Sequence, residues 1–68
     1  MTDTAALRDT IKNSGLKYNF IASKLGLSTM GLLKKVENET EFKASEIKKL
    51  SELLRLTSDE RDRIFFAQ

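Results

Sequence analysis

Apolar positions recur at three- and four-residue steps along this chain, and no segment alternates apolar and polar residues as a half-buried strand would. That spacing predicts five short helices. The first follows Thr2, Asp3 or Thr4 as N-cap, carries Leu7 and Ile11 one turn apart, and stops at Gly15. The second runs from about Lys17 to Leu25, with Phe20, Ile21 and Leu25 as its apolar stripe and Gly26 as its end. Ser28 caps a third helix reaching about Glu37, in which Leu32 and Val36 share a face. After the polar connector Asn38-Glu39-Thr40-Glu41, a fourth helix starts near Lys43 or Ala44 and lines up Ile47, Leu50, Leu53 and Leu54. Phe42 is placed to staple it against Ile47. Thr57-Ser58-Asp59-Glu60 has the spacing of a capping box, so a fifth helix should run to about Phe66. Of the terminal apolar run, Ile64 and one of Phe65 and Phe66 are expected to close the bundle.

With no proline, three glycines and connections of two to six residues, the expected architecture is an all-α, compact five-helix bundle forming a single domain over residues 1–68. Its informative part lies between Tyr18 and Glu37. A helix-turn-helix wants a small residue where its helices cross, here Ala22, and a residue tolerant of positive φ in the turn four positions later, here Gly26. Ile21, Leu25, Leu27, Leu32 and Val36 fall where such a pair buries side chains. A capping serine follows the glycine by two residues.

Composition narrows the chemistry. There is no Cys and no His, so disulfides, a thiolate nucleophile and Cys/His metal sites are excluded, and no paired acid and base sits in an apolar setting. Neither an enzyme nor a metal, cofactor or small-molecule substrate is expected. No apolar run approaches a membrane span, and Met1-Thr2-Asp3-Thr4 lacks the start of a signal peptide, so a cytoplasmic protein is expected.

The words Gly26-Leu27-Ser28, Lys35-Val36-Glu37-Asn38, Glu41-Phe42-Lys43-Ala44-Ser45-Glu46-Ile47 and Leu56-Thr57-Ser58-Asp59-Glu60-Arg61-Asp62 resemble the phage Cro/repressor-type helix-turn-helix family. They are similar in particular to small Cro-like switch proteins from temperate phages of low-GC Gram-positive bacteria, some of which work with or against the phage repressor. The resemblance extends over nearly the whole chain and implies a lambda repressor-like fold in a bacterial host cell. It also implies that Ser28, Thr29, Met30, Leu33, Lys34 and Glu37 would enter the major groove of operator DNA. Tyr18 and Asn19 would face phosphate, with Lys17, Lys24 and Lys35 as supporting charges. That face holds no Arg, Gln or Asn for a bidentate base contact, so base readout would be thin.

Charge then changes the picture. Residues 1–36 carry six basic and two acidic side chains, a net of +4, and residues 37–68 carry six basic and eight acidic, a net of −2. The basic half contains the helix-turn-helix, but Glu37, Glu39 and Glu41 follow its second helix at once and would oppose phosphate there. Met30, Gly31 and Leu33 edged by Glu37, Glu39 and Glu41 form a plausible surface for a protein partner. If the partner is the DNA-binding domain of a phage repressor, whose own reading surface is basic, the carboxylates are complementary to it. Two readings of function therefore stand: an antirepressor using Met30, Leu33, Lys34, Glu37, Glu39 and Glu41, and a Cro-like binder of operator DNA. Met30 and Leu33 each have two readings, partner anchor or core, and Tyr18 has a second reading as a partly buried aromatic holding the second helix.

Overall fold

The computed structural model describes residues 1–67. Its five helices are α1 (Thr4–Ser14), α2 (Tyr18–Leu25), α3 (Thr29–Val36), α4 (Ala44–Leu54) and α5 (Ser58–Phe65), and there is no strand among the described residues. Each boundary has a local cause. The Asp3 carboxylate accepts from the Ala6 N–H at 3.0 Å and starts α1, and the Ser28 hydroxyl accepts from the Gly31 N–H at 3.0 Å and starts α3. Thr57 and Glu60 form the expected reciprocal box at the start of α5, each side chain accepting from the other's N–H at 3.1 and 2.8 Å.

The turn between α2 and α3 depends on Gly26. Its φ of 72° lies in the left-handed region, its N–H turns back to the last turn of α2, and the Leu27 N–H reaches the Ala22 carbonyl at 2.8 Å. These bonds satisfy carbonyls that the helix end leaves open. α4 ends the same way on Arg55 (φ 56°), and the exit from α3 turns on Asn38 (φ 64°), two left-handed residues that are not glycine.

The buried core draws on every helix: Leu7 and Ile11 from α1, Ile21 and Ala22 from α2, Leu32 and Val36 from α3, Leu50 from α4, Ile64 and Phe65 from α5. Ala22 is buried where α2 meets its neighbours, and Phe42 meets Phe65 edge-on at 5.3 Å with an interplanar angle of 81°. Phe65 is the phenylalanine that closes the bundle, and Phe66 is left 55% exposed. One expected core position is corrected. Phe20 is 43% exposed, with the Lys24 ammonium 5.5 Å from its ring centre. Ile21 and Leu25, four apart, take the inward row of α2; Phe20 and Lys24, also four apart, take the row beside it, which faces solvent.

The N-terminal residues strap the bundle. Asn38 holds the backbone of Thr2 from both sides, its Oδ1 accepting from the Thr2 N–H at 3.0 Å and its Nδ2 donating to the Thr2 carbonyl at 2.5 Å. The Thr4 hydroxyl donates to the Val36 carbonyl at 2.7 Å, and the Asp3 N–H donates to the Ile64 carbonyl at 2.6 Å. The exit of α3 and the end of α5 are thus tied through residues 2–4.

A Cβ at Gly26 would meet nothing within 4 Å, so the cost of a side chain there is conformational alone. Gly26→Ala is expected to lose about 1 kcal/mol and Gly26→Val more, because a β-branched residue resists positive φ. Urea denaturation monitored by circular dichroism would measure both.

Candidate functional site

The helical spacing of α3 divides its residues into two sides. Leu32 and Val36 are fully buried, whereas Met30, Leu33, Lys34 and Glu37, at steps of three and four, lie along one outward row. Met30 is 63% exposed, an unusual place for a long apolar side chain, and Lys34 and Thr29 are exposed beside it. Leu33 is partly buried but is not one of the side chains packed against the core, so it stays with the outward row. Ser28 is exposed, but its hydroxyl is already used to cap α3. In α2, Asn19 is exposed while Tyr18 is partly buried against the core, which makes Tyr18 a packing residue as well as a surface one.

Lys35 requires a correction. The expectation placed it on the DNA-facing side as a supporting charge, but its side chain is only 12% exposed and its ammonium lies 2.9 Å from the Glu46 carboxylate. It also donates to the Glu41 carbonyl at 2.9 Å. The physical reason is the helical period: Lys35 adjoins Val36 on the side of α3 that faces α4, and a lysine there is tolerable only with a carboxylate to meet it. Glu46, buried to 9% side-chain exposure, supplies that carboxylate from the first turn of α4 and also accepts from the Lys43 N–H at 2.8 Å.

These partners set the charge of Glu46. Burial pushes its pKa up, but the Lys43 N–H and the Lys35 and Lys43 ammonium groups together outweigh burial and hold it below the ordinary value of 4.5.

The acidic turn is likewise sorted by pairing. Glu37 is exposed and forms an ion pair with Arg8 of α1, while Glu39 and Glu41 are exposed and form no ion pair among the described residues. The turn's backbone is fixed: the Lys34 carbonyl accepts from the Glu39 N–H at 2.9 Å, and the Glu41 carbonyl is held by Lys35. Around the exit of α3 and the start of α4 the exposed charges in no ion pair among the described residues are therefore Lys34 and Lys43 against Glu39 and Glu41. The local balance is even, against the surplus of lysines that the sequence offers. On α2 and its approach, Lys17 and Lys24 are exposed and keep a positive field on the other flank.

Sequence reasoning missed Arg8, Asn38 and Glu46. The spacing held a signal for Glu46, which stands three residues after the N-cap of α4 as a capping-box acid does. Asn38 follows the last turn of α3, where an asparagine is often a left-handed helix stop. For Arg8 the sequence holds no comparable signal, because its partner is brought in only by the packing of α1 beside the exit of α3. No group of acidic residues among the described residues is arranged to hold a metal ion, and no helix among them is long and apolar enough to cross a membrane. No family model, curated protein or solved structure matches this chain.

Removing one member of the Lys35–Glu46 pair strands a buried charge. Lys35→Met is expected to cost about 3 kcal/mol, and the double replacement Lys35→Met with Glu46→Leu should recover most of it, because an apolar pair of similar volume removes both desolvation penalties. Chemical denaturation of the three variants tests this. Because the folded pKa of Glu46 lies below its unfolded value, its contribution is fully present above about pH 4.5 and is lost as pH falls through the folded value. Glu60, held low by its bonds to Thr57, acts with the same sign. Thermal melts between pH 3 and 6, on the scale of ordinary carboxylate titration, should show Glu46→Gln flattening the acid limb.

Proposed function

We propose that this chain is a transcription regulator of the phage Cro/repressor type, acting as an antirepressor in the lysis/lysogeny switch of a temperate phage. It would bind the DNA-binding domain of the phage repressor through the outward row of α3 and the acidic turn, and so cover the surface that reads the operator. The observation that carries this reading is Met30, 63% exposed on the outward row of α3, past whose far end Glu39 and Glu41 carry exposed carboxylates with no ion pair among the described residues. An exposed methionine offers adaptable apolar area for a protein partner and little for a base edge. The inward turn of Lys35 adds to it, because one of the lysines counted for phosphate is spent inside the fold.

Direct operator binding is the second reading, favoured by Lys17, Lys24 and Lys34, all exposed on the α2–α3 unit with Thr29 at the start of α3. Under it the protein works as a Cro-like competitor for the same DNA.

Mixing the protein with the repressor's DNA-binding domain and following operator affinity by gel shift separates the two. The antirepressor reading expects a stoichiometric complex that no longer binds operator; failure to form a complex sinks it. Met30→Asp should weaken that complex at least about tenfold, as loss of an apolar anchor does. It should leave stability nearly unchanged, because Met30 is exposed and stands in the first turn of α3, where an acid suits the helix dipole. Lys34→Ala should instead weaken any direct operator binding and lower its salt slope by about one.

A further inference from the structure

A concavity lies away from α3, between α4 and α5, where an open groove offers about 740 Å³. Its floor is apolar: Phe42, Ile47 and Leu56 are partly buried there, and Phe66 stands at its side, 55% exposed. Its rim is mainly cationic, with Lys48, Arg55 and Arg61 against Glu52, and Arg61 turned partly to its neighbour Asp62 at 3.2 Å. None of these residues belongs to α1, α2 or α3.

Arg55 adds an observation of a different kind. It ends α4 with φ 56° and ψ 45°, in the left-handed region where glycine would be at ease and a side chain is strained. The fold asks for glycine at this position, and the chain has a guanidinium on the rim of the groove instead.

We propose that the α4–α5 groove is a docking site for an acidic amphipathic segment of a partner protein. An apolar row of that segment fills the floor beside Phe66, and its carboxylates meet Lys48 and Arg55. The groove is open rather than enclosed and so suits side chains of a protein segment better than a small molecule sealed from water. The excess of cations on the rim sets the sign of the partner. This site uses none of the surface assigned to the repressor, and the inference does not depend on that reading.

The test uses the whole chain labelled with nitrogen-15 and titrated with a peptide about 18 residues long, Leu and Phe at helical spacing on one face and Glu on the other. A second peptide carries Lys in place of every Glu. Amide shifts are expected to concentrate at the groove residues between 42 and 66, with the acidic peptide binding at least about tenfold more tightly than the basic one. Arg55→Gly should raise the melting temperature by roughly 4–8 °C through relief of strain, while weakening the acidic peptide roughly two- to fivefold. Lys48→Glu, a surface change within α4 that needs no backbone adjustment, should weaken it by at least as much. The proposal is overturned if neither peptide shifts the groove, if both bind equally, or if the shifts centre on α2 and α3. It is equally overturned if sedimentation shows the groove already filled by a second copy, or if anionic vesicles shift it and the acidic peptide does not.

Discussion

The buried ion pair between Lys35 and Glu46 organises the half of the molecule that faces outward. One carboxylate oxygen receives both the Lys35 ammonium and the Lys43 N–H, and the same ammonium holds the carbonyl of Glu41. The last turn of α3, the acidic turn and the first turn of α4 are thereby fixed to one another through two side chains. A hydrophobic contact could hold those helices as firmly, but it would not hold the turn's backbone, because only a charged donor with several hydrogens reaches a carboxylate and a carbonyl together. The orientation of Glu39 and Glu41 toward solvent follows from that anchoring.

Pairing also decides which charges count. In the sequence, three glutamates follow α3 and five lysines precede or lie within it, a contrast that suggests both a DNA-binding face and an acidic edge. In the fold, Arg8 takes up Glu37 and Glu46 takes up Lys35. What remains unpaired past the end of α3 is Lys34 and Lys43 against Glu39 and Glu41, with the exposed Met30 at the helix's other end, a smaller set than the sequence offers and one without its positive surplus.

The helices were legible because their ends are written in local chemistry: Asp3, Ser28 and the Thr57–Glu60 box at starts, Gly15 and Gly26 at stops. The exposed row of α3 was legible for the same reason, since Leu32 and Val36 fix its phase. Phe20 was misplaced because hydrophobicity alone cannot choose between adjacent rows of a short helix, and the choice fell to Ile21 and Leu25, which meet the core. Lys35 was misplaced because a lysine ordinarily marks a wet face, and only the arrival of Glu46 from α4 reverses that. Interactions between residues distant in sequence, such as Arg8 with Glu37 or Thr2 with Asn38, leave no periodic trace to read.

The strap formed by residues 2–4 bears on when this protein can fold. The Asp3 N–H closes on the carbonyl of Ile64, and Ile64 and Phe65 complete the core that α1 begins. A nascent chain therefore lacks its closing contacts until residues 64 and 65 have left the ribosome, and its early helices, each too short to persist in isolation, are held until then only by the part of the core that α1 to α4 supply. Folding should be completed late and in a single cooperative step, with Leu7 and Ile11 incompletely covered in the interval. The interval between synthesis and the folded state of these residues is set by the arrival of α5.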